Sequence, residues 1–334
     1  MKKINLAVIG ASGLVGRMML KVLAEYNIPI NKLYLFGSER SAGKKVDFKN
    51  ESYEILKLTR EIPNDIDFAL FSAGGDISRE YATLFAEKGS IVIDNSSAWR
   101  MNESCPLVVP EVNLNHITNN SKIIANPNCS TIQMVLPLKA LQDKYGLKRV
   151  IVSTYQSISG AGQKGINKLM NELDHKKDNT LSKHPIAFNT IFHSINENVD
   201  DTLKGYSEEE IKMILETKKI LSLPNLAITA TCVRLPILGG HGESLNIELQ
   251  NEFELNELCN TLANFEGITL INENINEEYP TVELSNDKDD VFIGRIRRDN
   301  SKINTVNMWL TADNLRKGAA SNAVQILQKL LLKK

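Results

Sequence analysis

Residues 4–9 form a short apolar run that leads directly into Gly10-Ala11-Ser12-Gly13-Leu14-Val15-Gly16. Val15, Met18, Met19, Val22, Leu23 and Tyr26 then recur at helical spacing. Strand, glycine turn and amphipathic helix in that order commit the chain to a βα unit. The apolar run is too short for a signal peptide and reads as a first strand. The pattern repeats. Residues 32–36, 68–71, 91–94 and 122–125 read as further strands, with a helix over 78–88. Alternation of this kind implies a mostly parallel sheet, whose ligands sit beyond the carboxyl ends of its strands. The turns at Gly10, Ser72, Asn95 and Asn128 all fall at such ends. Gly10, Gly13 and Gly16 are spaced G-x-x-G-x-x-G. Behind a strand and opening a helix, that spacing lets backbone approach a pyrophosphate held on the helix N-terminus, so it predicts dinucleotide binding.

The second strand ends in Gly37-Ser38-Glu39-Arg40-Ser41-Ala42-Gly43-Lys44. An acidic side chain at this place binds the ribose hydroxyl of NAD, whereas basic and hydroxyl groups bind the 2′-phosphate of NADP. Ser38, Arg40 and Ser41 favour NADP, and Glu39 is the dissenting residue. Arg100, after the strand at 91–94, is a candidate anion binder.

Asn126-Pro127-Asn128-Cys129-Ser130-Thr131-Ile132-Gln133 follows a strand and opens a helical run that Pro137 is expected to bend or interrupt. Pro127 disfavours helix at Asn126, Asn128 is placed to cap, and Cys129 falls in the first turn. Unpaired N–H groups and the positive end of the helix dipole favour the thiolate there, the nucleophilic form.

Beyond this helix the sequence becomes rich in strands, at 150–157, 226–235, 244–253, 291–297 and 305–310, and closes with an amphipathic helix. Residues 163–200 are polar. His175, His184 and His193 match no metal-ligand spacing and read as structural or surface groups. A helix over 207–221 starts with Ser207 and Glu210 as a capping box. By spacing alone, its Glu209, Lys212 and Glu216 form a salt-bridged solvent face. His241 stands among glycines and is expected to be exposed, which makes it the best acid/base candidate of the five histidines.

With 334 residues the chain suits two domains. A formal net charge of −1 gives no electrostatic case for nucleic acid or an anionic membrane, and no apolar run is long enough to span a bilayer. Cys105, Cys129, Cys232 and Cys259 form no C-x-x-C pair, so reduced thiols in a cytoplasm are expected, without a disulfide framework or metal site.

Taken together, GASGLVG (10–16), SAGG (72–75), DNSSAWR (94–100), VPEVN (109–113), NPNCSTIQ (126–133), TYQSISGAG (154–162), EEIK and ETKKI (209–220), CVRLPILGGH (232–241) and KGAASNAVQ (317–325) resemble the aspartate-β-semialdehyde dehydrogenase family from end to end. The family's histidine is usually followed by Ser, Thr or Ala, and Gly242 stands there in this chain. The resemblance implies a Rossmann-type NADP-binding domain over 1–127, completed by a C-terminal helix at 314–334. It implies an α+β domain of the glyceraldehyde-3-phosphate dehydrogenase type over 128–313, for catalysis and dimerisation. The implied reaction is NADPH-dependent reduction of L-aspartyl 4-phosphate to aspartate 4-semialdehyde and phosphate.

In that resemblance Cys129 is the nucleophile, His241 the acid/base and Gln156 the residue orienting the acyl group. Arg234 takes the substrate carboxylate and Glu209 its amine, while Arg100, Asn128 and Lys212 hold phosphate. Gly10, Ser12, Gly13, Leu14, Val15, Ser38, Arg40, Ser41, Ser72, Ala73, Gly74, Ser159, Gly160 and Asn322 hold NADP(H), and no metal is involved. The implied partners are the small-molecule substrate and a second copy of the chain, with pairing of dimers into tetramers left open. Two other readings remain: an N-acetyl-glutamyl-phosphate reductase-like enzyme, and an NADP-binding sensor without catalysis.

Overall fold

The computed structural model describes residues 3–195, 197, 199–271 and 278–332. The expected domain limits at residues 1 and 334 therefore lie outside the described residues. The chain divides into two compact units, Met1–Asn128 with Ala319–Lys334, and Cys129–Gly318.

The first unit holds β1 (Ile4–Ile9), β2 (Ile30–Gly37), β3 (Lys45–Phe48), β4 (Glu51–Lys57), β5 (Phe68–Phe71), β6 (Ile91–Asp94) and β7 (Ile123–Ala125). They form one sheet in the order β3-β4-β2-β1-β5-β6-β7, parallel except for the β3–β4 pair. The strands in the middle are mostly apolar, β5 throughout and β1 except for Asn5, because helices cover both faces. Leu6, Val8, Leu70 and Ile93 pack with Met19, Leu23, Val324 and Leu327 on one side; Ala7, Ile9, Phe71 and Phe85 fill the other. The chain leaves β1 for β2 and returns to β5 on its opposite side, which opens a crevice beyond the end of β1. The second helix begins at Gly75, three residues before its expected start. The β3–β4 hairpin was not read from the sequence.

In the second unit β8 (Leu147–Gln156), β9 (Ile191–Phe192), β10 (Ala227–Arg234), β11 (His241–Leu249), β12 (Ile268–Leu270), β13 (Val291–Arg298) and β14 (Thr305–Ala312) make a mixed sheet, ordered β12-β13-β14-β11-β8-β10-β9. The helix Cys129–Tyr145 runs through Pro137 without interruption, and most of its residues are buried. Tertiary packing on all sides outweighs the hydrogen bond that proline removes. A helix at Gly162–Leu173 occupies the stretch expected to be merely polar. Ser207 and Glu210 form the expected capping box on the helix Glu208–Leu221. The other carboxylate oxygen of Glu210 accepts from the Cys232 amide at 2.9 Å, which ties that helix to β10.

Candidate active site

In the first unit Gly10 sits at φ +83°, and a Cβ there would lie 2.4 Å from the Ser72 carbonyl. Only glycine lets the ends of β1 and β5 come this close. The cleft beside it, about 290 Å³, is lined by Gly10, Ser12, Gly13, Ser38, Glu39, Ser41, Lys57, Ser72 and Ala73 among others. Leu14 and Val15 start the adjoining helix, whose first turn carries neither a side-chain cap nor an acidic residue. A helix start without these groups suits an anion. Ser38 and Ser41 share a hydroxyl contact of 3.1 Å. Arg40 lies outside the lining, whereas Lys57, at the carboxyl end of β4, lies inside it and meets Glu39 at 2.9 Å. The unread hairpin is why Lys57 escaped notice; the rule that ligands gather at carboxyl ends would have found it.

Gly74, at φ +87°, precedes the second helix. Asn322 is fully buried; its Nδ2 donates to the Val108 carbonyl at 2.9 Å and to Asn126 Oδ1 at 2.7 Å. Its own Oδ1 is buried with no hydrogen-bond donor, an acceptor suited to a ligand amide. Arg100 is buried, donating from Nε to the Asn126 carbonyl and from Nη2 to the Asn95 carbonyl, each at 3.0 Å. These bonds hold the guanidinium at the strand ends, next to the turn that carries Asn128.

In the second unit one rung of the sheet carries the chemistry. His241 on β11 pairs with Gln156 on β8, and Gln156 pairs with Arg234 on β10. Residues on one rung point to the same face. Cys129 Sγ, at the start of its helix, lies 3.3 Å from His241 Nε2. His241 is fully buried. The expectation that it is exposed is thus corrected. Gly240, at φ +75°, would place a Cβ 2.7 Å from the Val282 carbonyl, so that glycine marks close packing. Burial first, and then the Arg234 charge, push His241 down to about 3.

Gln156 Nε2 donates to Ser130 Oγ at 2.8 Å and to Glu209 Oε1 at 3.1 Å. Its Oε1 lies 2.8 Å from His193 Nε2, so that nitrogen carries a proton. His193 therefore belongs to this cluster, contrary to the sequence reading. Burial, followed by the Arg234 charge, lowers it to about 4. No spacing rule finds it; β9, which pairs Ile191 with Arg234, carries it in. Arg234 donates from Nη1 to the Ser157 carbonyl at 2.7 Å. Burial lowers its pKa.

The solvent-face reading of Glu209, Lys212 and Glu216 also fails. The Glu216 residue is 1% exposed and the Glu209 side chain 12%. Lys212 pairs with Glu208 at 3.0 Å and lies 3.9 Å from Glu209. Ser159 is buried, and Gly160 lies against Arg234 and His241. Glu243, fully buried two residues beyond His241, is a further group that sequence reading missed; burial pushes it well above the usual carboxylate range. Among the described residues no group of His, Cys, Asp and Glu could hold a metal ion.

A dinucleotide cleft on a mostly parallel sheet, and a cysteine–histidine pair on a mixed one, are parts that suit an NAD(P)-dependent dehydrogenase. The sequence profile of the semialdehyde dehydrogenase NAD-binding domain matches residues 5–120, and that of the semialdehyde dehydrogenase dimerisation domain matches 138–317. The aspartate-semialdehyde dehydrogenase of Aquifex aeolicus is 48% identical over 98% of both chains. That of Bacillus subtilis is 43% identical over 98% of this chain and 97% of its own. The crystal structure of aspartate semialdehyde dehydrogenase II from Vibrio cholerae, complexed with ASA, superposes with a TM-score of 0.93 at 41% identity, covering 99% of each chain. The chain belongs to the aspartate-semialdehyde dehydrogenase family.

Proposed function

We propose that this chain reduces L-aspartyl 4-phosphate with NADPH to L-aspartate 4-semialdehyde and phosphate, in the synthesis of diaminopimelate, lysine, threonine, methionine and isoleucine. The observation that carries the reading is Cys129 Sγ at 3.3 Å from His241 Nε2, beside a rung that also presents Gln156 and Arg234. The Cys129 thiolate attacks the acyl carbon, phosphate leaves, and a thioester to Cys129 remains. Bound NADPH supplies the hydride. His241 serves the acyl oxygen, Gln156 orients the acyl group, Arg234 takes the α-carboxylate and Glu209 the α-amine. Arg100, Asn128 and Lys212 hold the phosphate. Gly10, Ser12, Gly13, Leu14, Val15, Ser72, Ala73, Gly74, Ser159, Gly160 and Asn322 hold the dinucleotide. Ser38, Arg40 and Ser41 hold its 2′-phosphate, with Lys57 added to them.

The first unit is the NADP domain and the second the catalytic and dimerisation domain of a homodimer. An apolar recess on the second unit, among Tyr155, Leu235, Met308 and Trp309, supports contact with a second copy. The four cysteines carry no disulfide, which supports a reducing compartment, the cytoplasm. The carboxylate of Glu209 favours a free amine over the amide that an N-acetyl-glutamyl-phosphate reductase would bind.

Phosphate-dependent formation of NADPH from NADP and aspartate semialdehyde tests the reading. Turnover with N-acetylglutamate semialdehyde instead would favour the rival enzyme. Cys129→Ala is expected to bind NADPH and lose turnover; a variant with near wild-type turnover would refute the thioester route.

A further inference from the structure

His241 and Glu243 lie two residues apart on β11 and so share a face of the sheet. Glu243 pairs with Thr154 on β8 and with Leu310 on β14, and Thr154 pairs in turn with Cys232 on β10. A second polar rung therefore lies one step along from the rung of His241, Gln156 and Arg234. The helix Cys129–Tyr145 spans both. Cys129 Sγ meets His241 at 3.3 Å, and Gln133, one turn on, meets Glu243 together with Ser130. Four residues of helix advance about 6 Å and two of strand about 6.6 Å, so the two contacts repeat in step. Ser130 Oγ also accepts from Gln156 Nε2 at 2.8 Å, which ties this turn of helix to the catalytic rung.

Glu243, Gln133, Ser130 and Thr154 are all fully buried. Both carboxyl oxygens of Glu243 and both amide atoms of Gln133 lack a hydrogen bond of ordinary geometry, although the two side chains are within reach of one another. Among the described residues no cation meets the carboxyl. Its neighbours are Ser130 and Gln133 from the helix, Thr154 and Leu310 on the flanking strands, and Cys232 one strand further. An ionised carboxylate could take the Gln133 N–H but would leave the Gln133 carbonyl without a donor. A neutral acid meets both needs. Its O–H donates to Gln133 Oε1 while its own carbonyl accepts from Gln133 Nε2, so one pair gives all four buried atoms a partner.

We propose that Glu243 acts as a protonated acid paired with Gln133, and that this pair positions the first turn of the Cys129 helix over the catalytic rung. The positioning role rests on the reading of Cys129 and His241 given above. Burial raises the Glu243 pKa while Gln133 and Ser130 lower it, and burial prevails. Because the pair lies one turn from the sulfur, loosening it displaces Cys129 from His241 and Ser130 from Gln156, and small displacements of reacting groups are costly in rate. Glu243 and Gln133 are positioning residues in this scheme.

Infrared difference spectra of the full chain at neutral pH, wild type against Glu243→Gln, test the protonation. The carbonyl band of a protonated carboxyl is expected. A carboxylate band in its place would overturn the proposal whatever the turnover, so this result stands apart from the proposed reaction. Gln133→Met, similar in shape, should shift the carbonyl band by removing its partner, and an unshifted band would refute the pairing. Kinetics with aspartate semialdehyde and phosphate test the positioning. Glu243→Met combined with Gln133→Met removes two polar groups that need each other, so Tm should change little. Its kcat should nonetheless fall about tenfold or more, with a smaller change in KM. Glu243→Gln offers an amide that can make the same two bonds to Gln133, and it should recover most of that loss. Unaltered kcat in the double variant would reduce the pair to core packing. A Glu243→Gln form as slow as the double variant would show that the charge is required. Either outcome refutes the proposal, and Gln133→Met alone, with the same expected fall in kcat, decides the question should the double variant not fold.

Discussion

Arg234→Met is expected to impair binding and to leave stability almost untouched. The guanidinium spends Nη1 on the Ser157 carbonyl at 2.7 Å, while Nη2 lies 3.5 Å from a His193 nitrogen whose proton is directed at Gln156. Two donors facing each other do not bond, so this edge of the fork is left for a ligand carboxylate. A hydrogen bond to a charged group is worth about 1.5–3 kcal/mol. At about 1.4 kcal/mol per tenfold, KM for aspartate semialdehyde should rise roughly 10- to 150-fold. Ground state and transition state both carry the carboxylate, so kcat should change less than KM. In stability two effects oppose. Methionine leaves the Ser157 carbonyl without its donor, yet it also removes a cation whose burial is costly enough to lower its pKa. These nearly offset, and the net should be within about 1 kcal/mol, or about 2–4 °C in Tm for a unit of this size. Steady-state kinetics in the phosphate-dependent direction and thermal denaturation measure both. A KM within about threefold of wild type, joined to a Tm lower by well over 4 °C, would show Arg234 to be a structural strut and refute the reasoning.

Arg40→Ala and Lys57→Ala should each weaken NADPH far more than NADH, by about 1.5–3 kcal/mol per lost charged bond, as read by cofactor titration; equal weakening of both cofactors would remove that residue from the 2′-phosphate site. Gly242→Ala would place a Cβ 2.3 Å from the Trp309 ring. It should cost about 1–3 kcal/mol through overpacking, seen as a lower Tm, with an unchanged Tm speaking against this packing. His193 and His241 have folded pKa values of about 4 and about 3, below 6.5. The unfolded chain therefore binds more protons as pH falls below 6.5, and stability drops with it: about 2 kcal/mol per histidine by pH 5. His193→Gln should show a smaller loss of Tm between pH 7.5 and 5 than wild type, and an equal loss would deny that His193 is held neutral.

Much of the fold could be read because strands and helices here obey simple local rules. The strands at Phe68–Phe71 and Ile91–Asp94, and the capping box of Ser207 and Glu210, stand where the sequence puts them. The helix Gly162–Leu173 was missed because polar residues dominate the stretch. Its Ile166, Leu169 and Leu173 do recur at helical spacing, a weaker signal than average polarity. The surroundings of His241 were misread for a physical reason. A glycine beside a functional residue can signal an exposed turn or a backbone pressed against a neighbour, and the sequence alone does not separate the two. The same ambiguity affects charged helix faces. Glu209 and Lys212 have the spacing of a solvent pair, and only the packing of their helix on β10, through Glu210, turns Glu209 inward. His193 is legible only from strand pairing, through β9 on β10.

That pairing also explains why so few substitutions should be tolerated near the rung. Alternate residues of a strand serve opposite faces. His241 and Gln156 point to the cysteine, while their neighbours Gly242 and Tyr155 pair with each other on the other face. There Trp309 lies over Gly242, and its ring centroid is 5.4 Å from that of Tyr155. A slip of one residue in β11 would carry His241 into this aromatic layer and bring Gly242 to the sulfur. The bulk of Trp309 against the empty place at Gly242 opposes such a slip, so packing on the apolar face helps to fix the register that the chemistry on the other face requires.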